Sequence, residues 1–273
     1  VTYDTAEAGV SLRIDRTSGN ALASGVSNTF TVNPSPPVRL QFEPVGSATA
    51  GSAFSVTVAA VDLAGNEGSV ASNTTVQITI NSGSGSLSGT STGVITAGNG
   101  RVTISGLYYN YAETISLKAS SIAGDVLAEG VSEQFSVSAG PAQCLRFSQQ
   151  PTTSDIGTPI HVAVEVTDGI GNRRFFLGDV TLSLVSPSGC GREIEGVTTV
   201  SGFSGVASFS VIIPQPCDGY RFAASAPGLS GATSNPFTVI AGTDLSGNSI
   251  SLLIGETETM LSFSYTVSGL SSV

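Results

Sequence analysis

Gly51-Ser-Ala-Phe-Ser-Val-Thr-Val-Ala-Ala-Val-Asp62-Leu-Ala-Gly-Asn66 aligns without a gap on Gly157-Thr-Pro-Ile-His-Val-Ala-Val-Glu-Val-Thr-Asp168-Gly-Ile-Gly-Asn172, an offset of 106. Two further landmarks share that spacing. Pro37-Val-Arg-Leu-Gln-Phe42 matches Ala142-Gln-Cys-Leu-Arg-Phe147 at 105. Ser27-Asn-Thr-Phe-Thr-Val32, Ser132-Glu-Gln-Phe-Ser-Val137 and Ser234-Asn-Pro-Phe-Thr-Val239 follow one another at 105 and 102. The repeating unit is about 100 residues, too long for a solenoid and the size of one small domain. The expected division is 1–32 as closing strands of a preceding unit, 33–138 and 139–240 as full units, and 241–273 as the start of a further β domain.

Within a unit the pattern has period two, the mark of half-buried strands. Ile160, Val162, Val164 and Val166 alternate with His161, Ala163 and Glu165, and Phe54, Val56, Val58 and Ala60 take the same face one unit earlier. Seven runs fit the third unit, at 144–147, 160–167, 180–185, 197–200, 206–213, 220–224 and 236–240. Turn signals such as Gly171-Asn172, Pro187-Ser-Gly189 and Pro227-Gly228 separate them. No helix is expected. Seven short strands in about 100 residues describe a two-sheet antiparallel sandwich, so the expected fold is all-β, a tandem of Ig-like sandwiches arranged as a rod. Leu40, Phe42, Phe54, Val56, Val58, Ile104, Leu117 and Phe135 are the expected core of the second unit.

The unit resembles the bacterial Ig-like and filamin-type repeats of large surface and adhesion proteins, the invasin/intimin group among them. The residues that carry the likeness are Leu40 and Phe42 with Leu145 and Phe147, the corners Asp62–Asn66 and Asp168–Asn172, and the closing Ser-x-x-Phe-x-Val. It covers roughly 36–240 in full; 1–32 matches as final strands and 241–273 matches poorly. The resemblance implies a fold and a surface setting.

Composition narrows the function classes. Charged residues are only 11% of 273, against ~25% in ordinary soluble domains, and the net charge is −10. That balance excludes a nucleic-acid binder, which needs clustered Lys and Arg to displace counterions, and a protein docking on anionic lipid. One His, no Trp and three Cys leave little for a conventional active site, so the expectation is no enzyme. His161 reads as a surface-strand residue, and Glu193 with Glu195 as a solvated loop rather than a glycosidase pair. Gly-rich Asn81-Ser-Gly-Ser-Gly-Ser-Leu87 reads as a hairpin connection. The chain opens on Val1 with no leader, and 262–267 still reads as strand, so the ends are expected to be those of a window on a longer polypeptide, or of a fragment with arbitrary limits.

Four groups of residues remain as candidates. Asp62, Asn66, Asp168 and Asn172 could hold Ca²⁺ through clustered oxygens, while a tight turn with Asp bonded to nearby N–H groups explains the same residues. Otherwise no cofactor is expected. Asp244-Leu-Ser-Gly-Asn248 repeats the corner out of register. If strands alternate up and down, Cys190 and Cys217 share one pole of the third unit and Cys144 lies at the other. A Cys190–Cys217 disulfide is therefore expected, closing a loop of about 27 residues worth about 3 kcal/mol, with Cys144 buried and reduced or paired elsewhere. Tyr108, Tyr109 and Tyr111 form a candidate contact patch, or else a local cap over the sandwich end. Asn73-Thr-Thr75 is an acceptor for glycosylation in a eukaryotic secretory route.

These readings combine into an extracellular or cell-surface structural segment, a stalk or filament-building spacer. Its expected partners are neighbouring repeats or further copies, with a glycan or surface protein as the alternative for an adhesin segment binding through loops at one pole of a domain. Short proline-bearing linkers at 33–37 and 138–141 would stiffen it. Shared strands from 1–32 of one copy and 241–273 of another would build a filament, and a plain tandem explains the same ends.

Overall fold

The computed structural model describes residues 2–202 and 204–241. Among them every regular element is a β-strand. The corner expected at 244–248, and all but the first residue of the further β domain expected over 241–273, lie outside the described residues.

Two sandwiches follow one another with the same topology. In the first, one sheet runs Arg39–Phe42, Phe54–Val61, Arg101–Tyr109, Leu87–Gly89. The facing sheet runs Thr92–Ile95, Thr74–Ser82, Thr114–Ala123, Phe135–Ser138, Ala48–Thr49. In the second sandwich Cys144–Gln149, Ile160–Thr167, Val206–Ile212 and Glu195–Gly196 face Thr199–Ser201, Asp179–Val185, Cys217–Ser225, Phe237–Ile240 and Ser154–Asp155. Pairing between the named strands is antiparallel except at one repeated place. Ala48–Thr49 runs parallel to Phe135–Ser138, and Ser154–Asp155 parallel to Phe237–Ile240, where the chain switches sheets.

Alternation gives each sheet one apolar face, and those faces meet. The core from Leu40 to Val137 and the core from Leu145 to Val239 are separate clusters. Seven of the eight expected core residues of the second unit are buried, and Phe54 packs against the cluster half-buried. At its ring Phe135 sits 6.1 Å away; in the next unit Phe237 lies 4.8 Å from Phe222 and 6.0 Å from Tyr220. Such ring pairs add to the burial of area itself.

The closing Ser-x-x-Phe-x-Val now has a cause. Ser132 Oγ accepts the Leu117 N–H at 2.9 Å and donates to the Glu133 carbonyl at 2.9 Å. Ser234 does the same with Phe222 at 2.9 Å and Asn235 at 2.8 Å, and Ser27 with Leu12 and Asn28 at 2.9 and 2.8 Å. The hydroxyl fills a gap in the ladder where the last strand joins, and Phe and Val then face inward in both full units. Residues 2–32 hold only two short strand pairs, Glu7–Val10 with Phe30–Val32 and Arg13–Ile14 with Gly25–Val26. They carry the same register as the last strands of a full unit.

Candidate functional site

The Asp-x-x-Gly-Asn corner is a turn that reaches across to the unit before it. At the second corner Asp168 Oδ1 accepts N–H groups from Ile170 at 3.1 Å and Asn172 at 2.9 Å. Its Oδ2 accepts the Asn172 side-chain amide at 3.0 Å and the linker N–H of Gly140 at 2.9 Å. The Asn172 amide then spans the boundary. Its Oδ1 accepts the Ala112 N–H at 2.9 Å, and its Nδ2 donates to the Asn110 carbonyl at 3.2 Å.

The same clasp stands one unit earlier. Asp62 accepts the Asn66 N–H at 2.9 Å, the Asn66 amide at 3.1 Å and the linker N–H of Ser35 at 3.1 Å. Asn66 Oδ1 accepts the Ala6 N–H at 3.0 Å, and Nδ2 donates to the Asp4 carbonyl at 2.7 Å. In both joints the asparagine bridges 60 and 62 residues of sequence. Gly65 and Gly171 take positive φ, 92° and 96°, while the asparagines that follow them do not. Gly51, at φ 73°, leaves room for Ile170 from the next unit, whose Cδ1 would stand 3.0 Å from any Cβ there.

The two aspartates are buried, 4% and 3% exposed. Burial pushes the Asp168 carboxyl up, but the bonds from Asn172, Gly140 and Ile170 outweigh it and hold the group below the ordinary carboxylate range. The Asn66 amide chiefly does the same for Asp62. With N–H donors on every carboxylate oxygen of the corners, the geometry is that of a hydrogen-bonded turn. Among the described residues no three His, Cys, Asp or Glu side chains gather as metal ligands would.

The other candidates fall as follows. Cys190 and Cys217 form a disulfide, with Cα atoms 5.9 Å apart. Cys144 is free and half-buried, less enclosed than expected. The tyrosine patch needs correction. Tyr109 is core, 1% exposed, because its place on Arg101–Tyr109 faces the opposite sheet; only Tyr108 and Tyr111 reach solvent. Asn73 is exposed, and its side-chain oxygen accepts the Ala97 N–H at 2.9 Å. His161, Glu193 and Glu195 are exposed and stand apart from any cluster.

One repeat escaped the sequence reading. Tyr3, Ala6 and Glu7 recur as Tyr109, Ala112 and Glu113, again 106 apart. The tyrosine hydroxyl donates to the glutamate in both copies, at 2.5 Å for Tyr109, and Glu113 also accepts the Ser84 N–H at 2.7 Å. This lock stiffens the loop that offers Asn110 and Ala112 to the next unit. The third unit solves the same problem covalently. Cys217 sits opposite the closing Val239, the position Glu7 holds opposite Val32 and Glu113 opposite Val137. Its partner Cys190 lies in the loop that corresponds to Ser84. Pro216 occupies the place of Ala6 and Ala112 and has no N–H to donate, so this pole cannot form the first half of the clasp.

No protein-family model matches the chain, and no curated protein matches it. Solved structures similar to it include the Escherichia coli adhesin FdeC, at 16% identity over 77% of this chain and 67% of that one, TM-score 0.39. A β-glycosidase from Bacteroides vulgatus is 12% identical over 75% of this chain and 25% of that one, TM-score 0.33. The Yersinia pseudotuberculosis adhesin InvE is 18% identical over 73% and 58%, TM-score 0.31. This chain thus spans about two thirds, a quarter and three fifths of their lengths. The glycosidase corrects one expectation: enzymes are among the similar structures, although over a small part of their length, and the exclusion of enzymes drawn from composition does not stand.

Proposed function

We propose that this chain is a segment of an extracellular surface protein, in which Ig-like sandwiches are clasped end to end as a semi-rigid stalk. The observation that carries this reading is the duplicated joint. A flexible tether would need only a linker; here an Asp–Asn pair, with the aspartate buried in both copies, binds the linker and the preceding unit through the same bonds twice. Hydrogen bonds anchored on a buried carboxylate fix orientation because breaking them leaves that group short of partners. Linkers holding Pro34, Pro36, Pro37 and Pro141 restrict the remaining freedom. The Cys190–Cys217 disulfide supports an oxidising compartment, which a surface protein meets and a reduced cytosol does not.

Small-angle X-ray scattering of the whole chain tests the reading. The expected profile is an extended particle whose cross-section is that of one sandwich. A compact particle with the units folded side by side would overturn it.

A further inference from the structure

The second joint opens a groove of about 510 Å³ between the units, lined by Tyr111 from one and by Arg146, Glu165 and Arg173 from the other, over Gly171 and Asn172. That size falls within the range of small-ligand sites, which favour domain boundaries. We propose that this groove binds an acidic saccharide, with Tyr111 as the face on which the sugar ring stacks and Arg173 as the fork that takes its carboxylate.

The repeat itself shows that these side chains do not serve the joint. At the first joint the corresponding residues are Thr5, Gln41, Ala59 and Glu67, and the clasp there is the same. The clasp needs Asn, Gly and Ala; an aromatic ring and two guanidinium groups are an addition of the second joint. Their chemistry is coherent. Tyr111 is 51% exposed, an amphipathic ring that offers a flat face at little entropic cost. Arg146 is held by Glu165 at 2.7 Å, across the paired strands Cys144–Gln149 and Ile160–Thr167. Arg173 has no ion pair or side-chain hydrogen bond among the described residues. Two guanidinium groups against one carboxylate leave the groove positive on a chain whose net charge is −10.

A planar, bidentate donor matches the geometry of a carboxylate. The open, polar lining disfavours an apolar ligand, and a pyranose ring has the C–H face that a phenol ring accepts. The Asn172 amide takes no part, since both its ends are engaged in the clasp. The inference rests on the stalk reading to the extent that the joint must be closed for the groove to exist.

The test is an NMR titration of the whole chain with tetragalacturonate, with maltotetraose and tetraglutamate as the neutral-sugar and acidic-peptide arms. Tyr111→Thr and Arg173→Glu install residues the first joint already carries, so the fold and clasp are retained; melting temperature checks this. Expected are shifts at Tyr111, Arg146 and Arg173 with tetragalacturonate, silence with maltotetraose, and weakening by about ten- to a hundredfold in each variant. Silence with all three probes, equal response to tetraglutamate, or binding unchanged in both variants would overturn the proposal. Extended scattering from a chain that ignores the sugar would sink this proposal and leave the stalk standing; compact scattering would sink the stalk.

Discussion

Asn172 accepts the backbone N–H of Ala112 at 2.9 Å, and Asn66 accepts that of Ala6 at 3.0 Å, each across a span of 60 residues. One side chain thus closes its own turn through an aspartate and reads the backbone of its neighbour. A turn and a joint are the same object, which is why the corner is spelled alike in both units.

Replacing Asn172 by alanine should remove both bridging bonds, leave the Ala112 N–H and the Asn110 carbonyl without these partners, and take from Asp168 one of its four N–H donors. The expected cost to the third unit is about 1 to 3 kcal/mol, since buried groups lose their bonds without regaining water. Denaturant unfolding monitored in that unit checks it. Gln at the same place should not restore the clasp, its amide being one methylene too far.

Acid should loosen the joints. Asp168 and Asp62 have folded-state pKa values below the ordinary range, so the unfolded chain binds protons first as pH falls. Their stabilisation is complete above about pH 4 and is lost as pH drops through the folded values. A fall in melting temperature below pH 4 that is smaller in the Asp168→Asn variant is the expected outcome.

Reduction of Cys190–Cys217, or Cys217→Ser, should destabilise the third unit by about 3 kcal/mol and leave the second unchanged, because the loop of 27 residues lies within one core. Separate melting of the two units, followed by near-ultraviolet dichroism of Tyr220 and Tyr109, distinguishes them.

Tyr109→Phe should cost the second unit about 1 to 2 kcal/mol. The hydroxyl accepts the Gly85 N–H at 2.7 Å and donates to Glu113 at 2.5 Å, and its loss strips both. Burial, with the Glu113 bond, raises the Tyr109 hydroxyl to about 12. Its contribution should therefore persist up to about pH 10 and fade between pH 10 and 12, a decline absent from the Phe variant.

Much of the fold was legible because alternation and turn chemistry are local. The run Ile160–Thr167 was read to the residue, and the Cys190–Cys217 pair followed from strand polarity. The joint was not legible in the same way. Asp62 and Asn66 look complete as a turn, and the outward partners of Asn66 are backbone groups 60 and 62 residues upstream, which carry no side-chain signature. The recurrence of Tyr3, Ala6 and Glu7 at Tyr109, Ala112 and Glu113 was the available signal. Tyr109 was misplaced because three near-adjacent tyrosines read as a patch, although alternation already put Tyr108 and Tyr109 on opposite faces. The charged groove beside Tyr111 needs both units in place before it exists.

Residual dipolar couplings measured on the whole chain test the clasp most directly. If the joint fixes orientation, couplings from 39–137 and from 144–240 fit one alignment tensor, and Asn172→Ala splits them into two. Two independent tensors in the unmodified chain would show that the units tumble freely despite the bonds between Asn172 and Ala112.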